Sequence, residues 1–222
     1  MSADTTAERI TTVALSLFLA RGVRKTDLTE VAYQAGVARV TVYRYCGDKK
    51  GLLRSVCMRI AAIFQRAAEE HPTEDHVAEA PVAKGHGIDS SQDLDLRLNR
   101  LGQELSNLPK GNLLACLEET HRLYPDVYEE FRAVRQAAVD QIFQQALDMA
   151  TREQMLREGI NLEVLKAIFW AAVVGLLENP TLISSNVSLA EIFATVTEVF
   201  RHGILIPVPS GVSQNAAVPS VN

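Results

Sequence analysis

The chain has 222 residues, 47% of them hydrophobic and 22% charged, a balance that fits one or two globular domains with ample length for a buried core. Its longest uncharged apolar run, residues 167–177, falls well short of the ~20 residues a membrane span needs, so no membrane partner is expected. The net charge of −5 argues against a nucleic-acid partner only on average: residues 1–60 hold ten Lys/Arg against five Asp/Glu, while the rest holds twelve against twenty-two.

A first helix is predicted from about Thr6 to Arg21, because Ile10, Val13, Ala14, Leu17 and Phe18 recur on one helical face. Thr5 and Glu8 have the spacing of a capping box, and Gly22 is placed to end the helix in a left-handed conformation. Asp27 and Glu30 repeat the capping-box spacing before a second helix with Leu28, Val31 and Ala32 inward. Gly36 permits a tight turn into a third helix, roughly Arg39–Tyr45, which Gly47 and Asp48 break. Asp48 then caps a long fourth helix striped by Leu52, Leu53, Val56, Cys57, Ile60 and Phe64.

Near Glu70 the periodicity stops. Residues 71–93 hold Pro72, Pro81, Gly85, Gly87 and many acids, and read as a flexible acidic link. Helical pattern resumes at Leu94, Leu98, Leu101, Leu105 and Leu108 and halts at Pro109. Leu113, Leu114, Leu117 and His121 mark another helix, and 126–151 a long one with Val127, Phe131, Val134, Ala138 and Ile142 inward. Two more helices are expected at about 162–177 and 188–202, followed by a Pro/Ser/Gly/Asn-rich tail, 207–222, that reads as disordered. No strand pattern and no internal repeat appears. The expected fold is all-α: a helix-turn-helix unit over 1–48, a connecting helix over 49–70, the link at 71–93, and a helical regulatory and dimerisation domain over 94–206.

Three cysteines, Cys46, Cys57 and Cys116, form no CxxC pair and have no clustered histidines, so neither a zinc site nor a disulfide framework is expected, and no cofactor. The N-terminus lacks a charged start followed by an apolar run, so no secretory leader is expected and a reducing cytoplasm is the anticipated location. There is no GxSxG, HExxH, P-loop or Rossmann glycine pattern, and no catalytic pair stands out, which disfavours an enzyme.

The chemistry concentrates in residues 27–46. Two short helices joined at Gly36, the second carrying Arg39, Thr41, Tyr43, Arg44 and Tyr45, are the pattern of a helix-turn-helix. Arg39 opens the second helix, where a guanidinium can bond a guanine edge bidentately. Val40 and Thr41 suit a thymine methyl or a base edge. Tyr43, Arg44, Tyr45 and Lys49 suit phosphates, as do Thr26 and Thr29 near the start of the preceding helix.

Residues 9–53 resemble the tetracycline-repressor (TetR) family of transcriptional regulators. The resemblance is carried by Ile10, Ala14, Phe18 and Gly22, by Leu28, Val31-Ala32 and Ala35-Gly36-Val37, by Thr41-Val42-Tyr43 and Tyr45, and by Lys49 and Leu52-Leu53. It implies DNA contacts at Arg39, Val40, Thr41, Tyr43, Tyr45 and Lys49. Two departures stand out: Ala38 replaces the usual Ser or Thr cap, losing ~1 kcal/mol, and Cys46 replaces the usual Phe.

The resemblance also implies a homodimer joined through the last two long helices. Ala167, Ala171, Ala172 and Gly175 keep one surface low, and Ile192, Val196 and Phe200 supply apolar area. A pocket for a small, mainly hydrophobic effector is expected among Leu101, Cys116, Glu119, Thr120, Tyr128, Phe131, Arg135, Phe169 and Trp170. The function expected is a homodimeric repressor released by an effector from a near-palindromic operator on double-stranded DNA. The alternative is a helix-turn-helix regulator controlled by a protein partner or by oxidation of Cys46.

Overall fold

A computed structural model describes residues 3–69, 100–152, 154, 156–177, 179–185, 187 and 189–204. The expected link at 71–93 and tail at 207–222 lie outside them. The described residues form helices α1 (Ala3–Arg21), α2 (Leu28–Gln34), α3 (Arg39–Cys46), α4 (Lys49–Glu69), α5 (described over 100–106), α6 (Leu113–Leu123), α7 (Pro125–Arg152), α8 (Leu162–Leu177), α9 (Pro180–Ser184) and α10 (Leu189–Ile204), and no strand.

The expected apolar stripes become the core. Ile10, Ala14 and Phe18 of α1, Val31 of α2, Val42 of α3, and Leu52, Leu53 and Phe64 of α4 are fully withdrawn from solvent. Burying each of the larger side chains contributes roughly 1.5–3 kcal/mol. α4 continues out of this bundle and packs chiefly along α7, which α6 also covers. The same core runs on through Leu101, Leu114, Val127, Phe131 and Ala138, while Phe143, Leu147 and Leu165 form a second cluster between α7 and α8.

Helix ends differ from expectation where a side chain found another partner. α1 begins at Ala3, so Thr5 lies inside the helix and cannot cap it. Asp27 does cap α2, its carboxylate accepting from Thr29 N–H at 2.6 Å, but Glu30 does not reach back. Glu30 Oε1 instead accepts from Arg21 Nη1 at 2.6 Å and from Gln34 Nε2 at 3.1 Å, because a guanidinium one helix away outcompetes a backbone N–H. Asp48 caps α4 through Gly51 N–H at 2.7 Å, as expected. α9 was not foreseen: five residues carry no period to read, although Asn179 accepts from Thr181 and Leu182 N–H and Pro180 occupies the first helical position.

The expected interface residues divide. Ile192 and Val196 are buried in the subunit's own core, so they are not available to a second copy. Ala167, Ala171 and Gly175 are exposed, Ala172 is half-buried, and the side chain of Phe200 lies outside the described residues. The apolar side chains that do face out are Val164 and Ile168 on α8, each 55% exposed, and Val199 on α10, 63% exposed.

Candidate nucleic-acid interface

The turn between α2 and α3 is closed by backbone bonds. Val37 N–H donates to Ala32 O at 3.0 Å, and Gly36 adopts φ 62°, which glycine takes without strain. α3 starts without a side-chain cap at Ala38, as its alanine requires. Val42 faces the core at 0% exposure while Val40, two residues earlier, is 71% exposed. Val40 therefore lies on the solvent-facing side of α3, opposite the core contact of Val42.

Around Val40 the side chains are partly organised. Arg39 Nη2 donates to Tyr43 Oη at 3.0 Å, and its guanidinium lies 5.2 Å from the Tyr43 ring centroid. That hydroxyl holds the Arg39 guanidinium in its charged form even more firmly than usual. Tyr43 and Tyr45 are partly exposed and Arg44 is exposed, while Thr41 is half-buried beside them. Thr29 is exposed at the start of α2. Tyr33, 85% exposed on α2, shares this solvent-facing character and was missed; its position off the Leu28–Val31–Ala32 stripe was the available signal.

Two expected phosphate contacts are more occupied than their residue types suggest. Thr26 is buried and its hydroxyl donates to Gly22 O at 2.9 Å, which removes it from the candidate surface. Lys49 Nζ donates to Arg24 O at 2.9 Å, fixing the start of α4 against the α1–α2 turn. Partial burial lowers the Lys49 pKa, with Asp27 and Glu119 pulling the other way. Its ammonium keeps two further donors.

Residues 10–56 match the sequence model of the bacterial regulatory proteins, tetR family. Over that segment, about a fifth of its length, the chain is similar to the tetR family. A curated relative, the HTH-type transcriptional repressor BepR of Brucella suis biovar 1 (strain 1330), is 34% identical over 82 residues. That match covers 35% of this chain and 39% of BepR, so the chain spans about two fifths of the length of that relative. A TetR-family transcriptional regulator from Agrobacterium tumefaciens has the same fold, with a TM-score of 0.60 at 15% identity over 92% of this chain and 100% of the other. So does a transcriptional regulator from Saccharomonospora viridis solved in complex with choline, with a TM-score of 0.57 at 16% identity over 92% and 100% of the two chains.

A carboxylate from a later helix clasps the turn that leads into the helix-turn-helix. Glu119 of α6 accepts from Val23 N–H at 2.7 Å through Oε2 and from Arg24 N–H at 3.2 Å through Oε1. Gly22 is required here: a Cβ would lie 2.6 Å from Glu119 Oε2, and its φ is 86°. Further up α1, Leu19 O accepts from Asn112 N–H at 3.2 Å, and Gly111 packs directly on that carbonyl. Lys50 pairs with Asp126 at 2.8 Å and Arg54 with Glu130 at 2.7 Å, tying α4 to α7 on the surface. Glu119 therefore does not line an effector pocket. Its two oxygens are engaged by the α1–α2 turn, a partner no sequence spacing could reveal.

The other expected pocket residues fall in different surroundings. Leu101, Cys116, Thr120, Tyr128 and Phe131 are buried in the main core, with the Thr120 hydroxyl donating to Cys116 O at 2.7 Å. Tyr128 stacks on His121 at 4.4 Å, and buried Arg135 sits over the Phe131 ring at 5.3 Å. Phe169 stacks on Phe143 at 4.2 Å, and Trp170 meets Phe169 edge-on while its Nε1–H donates to Asp140 Oδ1 at 3.1 Å. Burial pushes the Cys57 and Cys116 thiols up to about 12 and raises that of Cys46, whose Sγ donates to Val42 O. Among the described residues no cluster of three or more metal-ligating side chains occurs, and no helix is long and apolar enough to cross a membrane.

Proposed function

We propose that the chain is a homodimeric transcriptional repressor that reads a near-palindromic operator with α3 and is released by a small, mainly hydrophobic effector. The observation that carries this reading is the outward face of α3. Val40 stands in solvent between the tethered Arg39–Tyr43 pair and the basic Arg44, while Val42 anchors the helix from behind. An exposed apolar contact flanked by a prearranged guanidinium suits the edges of bases in a major groove. Thr29, Thr41, Tyr43, Tyr45 and Lys49 surround it as phosphate or base contacts. The name of the curated relative, a transcriptional repressor, supports the same role.

One copy would read one half-site, so two copies related by a two-fold axis are the physical expectation. Val164, Ala167, Ile168, Ala171 and Gly175 form an exposed stripe along α8 suited to that contact. The effector acts by favouring a dimer whose α3 helices no longer match successive grooves. Oxidation of Cys46 is not favoured, because burial keeps its thiol protonated and so less reactive.

The test is a selection from random DNA with the parent chain and Arg39→Ala. The substitution should cost ~1–3 kcal/mol at the selected site and relax preference at one base pair per half-site. Recovery of the same consensus with the same information content from both proteins would remove Arg39 from base reading. Failure of the parent chain to select any site would remove the function.

A further inference from the structure

We propose that a cleft between α1, α4 and α5 binds a small organic anion with an apolar tail. The cleft has a volume of about 1130 Å³ and opens on the side of the bundle rather than between α5 and α8. Three arginines line it. Arg66 is answered by Glu104, with which it is paired. Arg9 and Arg59 are not: among the described residues no carboxylate pairs with either. Glu8, which also lines the cleft, pairs with neither.

Arg9 Nε is buried and has no hydrogen-bond partner among the described residues. A buried, unsatisfied guanidinium N–H is rare because its desolvation is not recovered. Arg59 Nη1 donates to Thr12 Oγ1 at 2.7 Å, a neutral acceptor that orients the guanidinium without neutralising it. Arg59, oriented by Thr12, and Arg9, with an Nε that lacks a partner among the described residues, line one cleft, and a carboxylate or a phosphate monoester accepts from guanidinium in paired bonds. Leu15, Ala62, Ile63 and Leu108 add an apolar part to the same lining. A bare inorganic ion would leave the apolar part of the lining uncovered, so the ligand class is an anion carrying a short alkyl or aryl group.

Tyr45 of α3 lies in the same lining, its hydroxyl 3.4 Å from Thr11 Oγ1. An occupant would therefore touch the last turn of the recognition helix. That consequence for DNA rests on the function proposed above; the binding itself does not.

The experiment follows the arginine Nε–Hε signals of the full chain by NMR during titration with octyl phosphate, inorganic phosphate and octanol. The Arg9 and Arg59 signals should shift saturably with octyl phosphate, and with inorganic phosphate at a midpoint about tenfold higher, the effect of burying even two methylenes. Octanol should leave both arginine signals in place. Arg59→Gln, with unchanged helical content, should raise the octyl phosphate midpoint about tenfold through loss of a charge-assisted pair. Absence of a saturable shift with either anion would overturn the proposal. So would an unchanged midpoint in both Arg9→Gln and Arg59→Gln. A chain that binds octyl phosphate here yet selects no DNA would support the anion site and overturn the repressor reading, which separates the two failures.

Discussion

Glu119 does at one residue what a loop of backbone bonds does elsewhere. Its carboxylate satisfies two N–H groups in the α1–α2 turn, and Arg24 in turn offers its carbonyl to Lys49. Glu119→Ala should therefore leave two donors to water and destabilise the chain by about 1–3 kcal/mol in urea denaturation. Gly22→Ala should cost a similar amount, roughly 1–2 kcal/mol from the left-handed backbone alone, plus displacement of Glu119 Oε2. Because both changes break one contact, their combined cost should be clearly less than additive in a double-mutant cycle. Full additivity would mean that Gly22 and Glu119 act independently, and an unchanged stability of Glu119→Ala that the clasp contributes nothing. The thiols give a second check. With Cys57 and Cys116 raised to about 12 by burial, neither should react with an aromatic disulfide reagent at pH 8 in the native chain, whereas all three cysteines should react in denaturant. Rapid native labelling of Cys57 or Cys116 would contradict their burial.

At the scale of elements, α3 starts without a side-chain cap. Ala38 sits in the extended conformation of a cap yet has no side-chain acceptor. Ala38→Ser should add about 1 kcal/mol of stability, read as a rise in the urea midpoint with unchanged slope. No rise would mean that the first N–H groups of α3 already have other partners. The helices themselves were legible because their apolar residues repeat every three to four positions: Ile10–Ala14–Phe18 and Leu52–Val56–Ile60 were assigned inward and are buried. α9 was not legible, since five residues are shorter than two helical turns. What the sequence could not tell was which partner a polar side chain would choose. Glu30 and Glu119 each had a plausible local or pocket role, and each was taken by a group 9 or 95–96 residues away in sequence. Thr26 looked like a surface hydroxyl but turned inward to the carbonyl four residues before it. Ile192 and Val196 show the same limit for apolar residues: periodicity marks them as buried but not against which surface.

For the whole molecule, the exposed stripe on α8 predicts where two copies meet. Ile168→Glu changes a side chain that is 55% exposed in one subunit, so the subunit should fold normally. Two buried, unpaired carboxylates in a two-fold interface would cost several kcal/mol, so sedimentation should show a folded monomer. A folded, fully dimeric Ile168→Glu chain would place the interface elsewhere. Ile192→Glu is the contrasting control: it puts charge in the subunit's own core and should lose helical content. The clasp also bears on how the protein is made. α1 to α4 leave the ribosome before α6, and at about 5–20 residues per second the fifty residues from 69 to 119 take roughly 3–10 s to follow. During that interval the nascent helix-turn-helix has its sequence but not the carboxylate that secures the turn beside Lys49. The α1–α2 turn therefore gains its last two acceptors only after residue 119 has emerged, so the tight native form of this turn is completed late in synthesis.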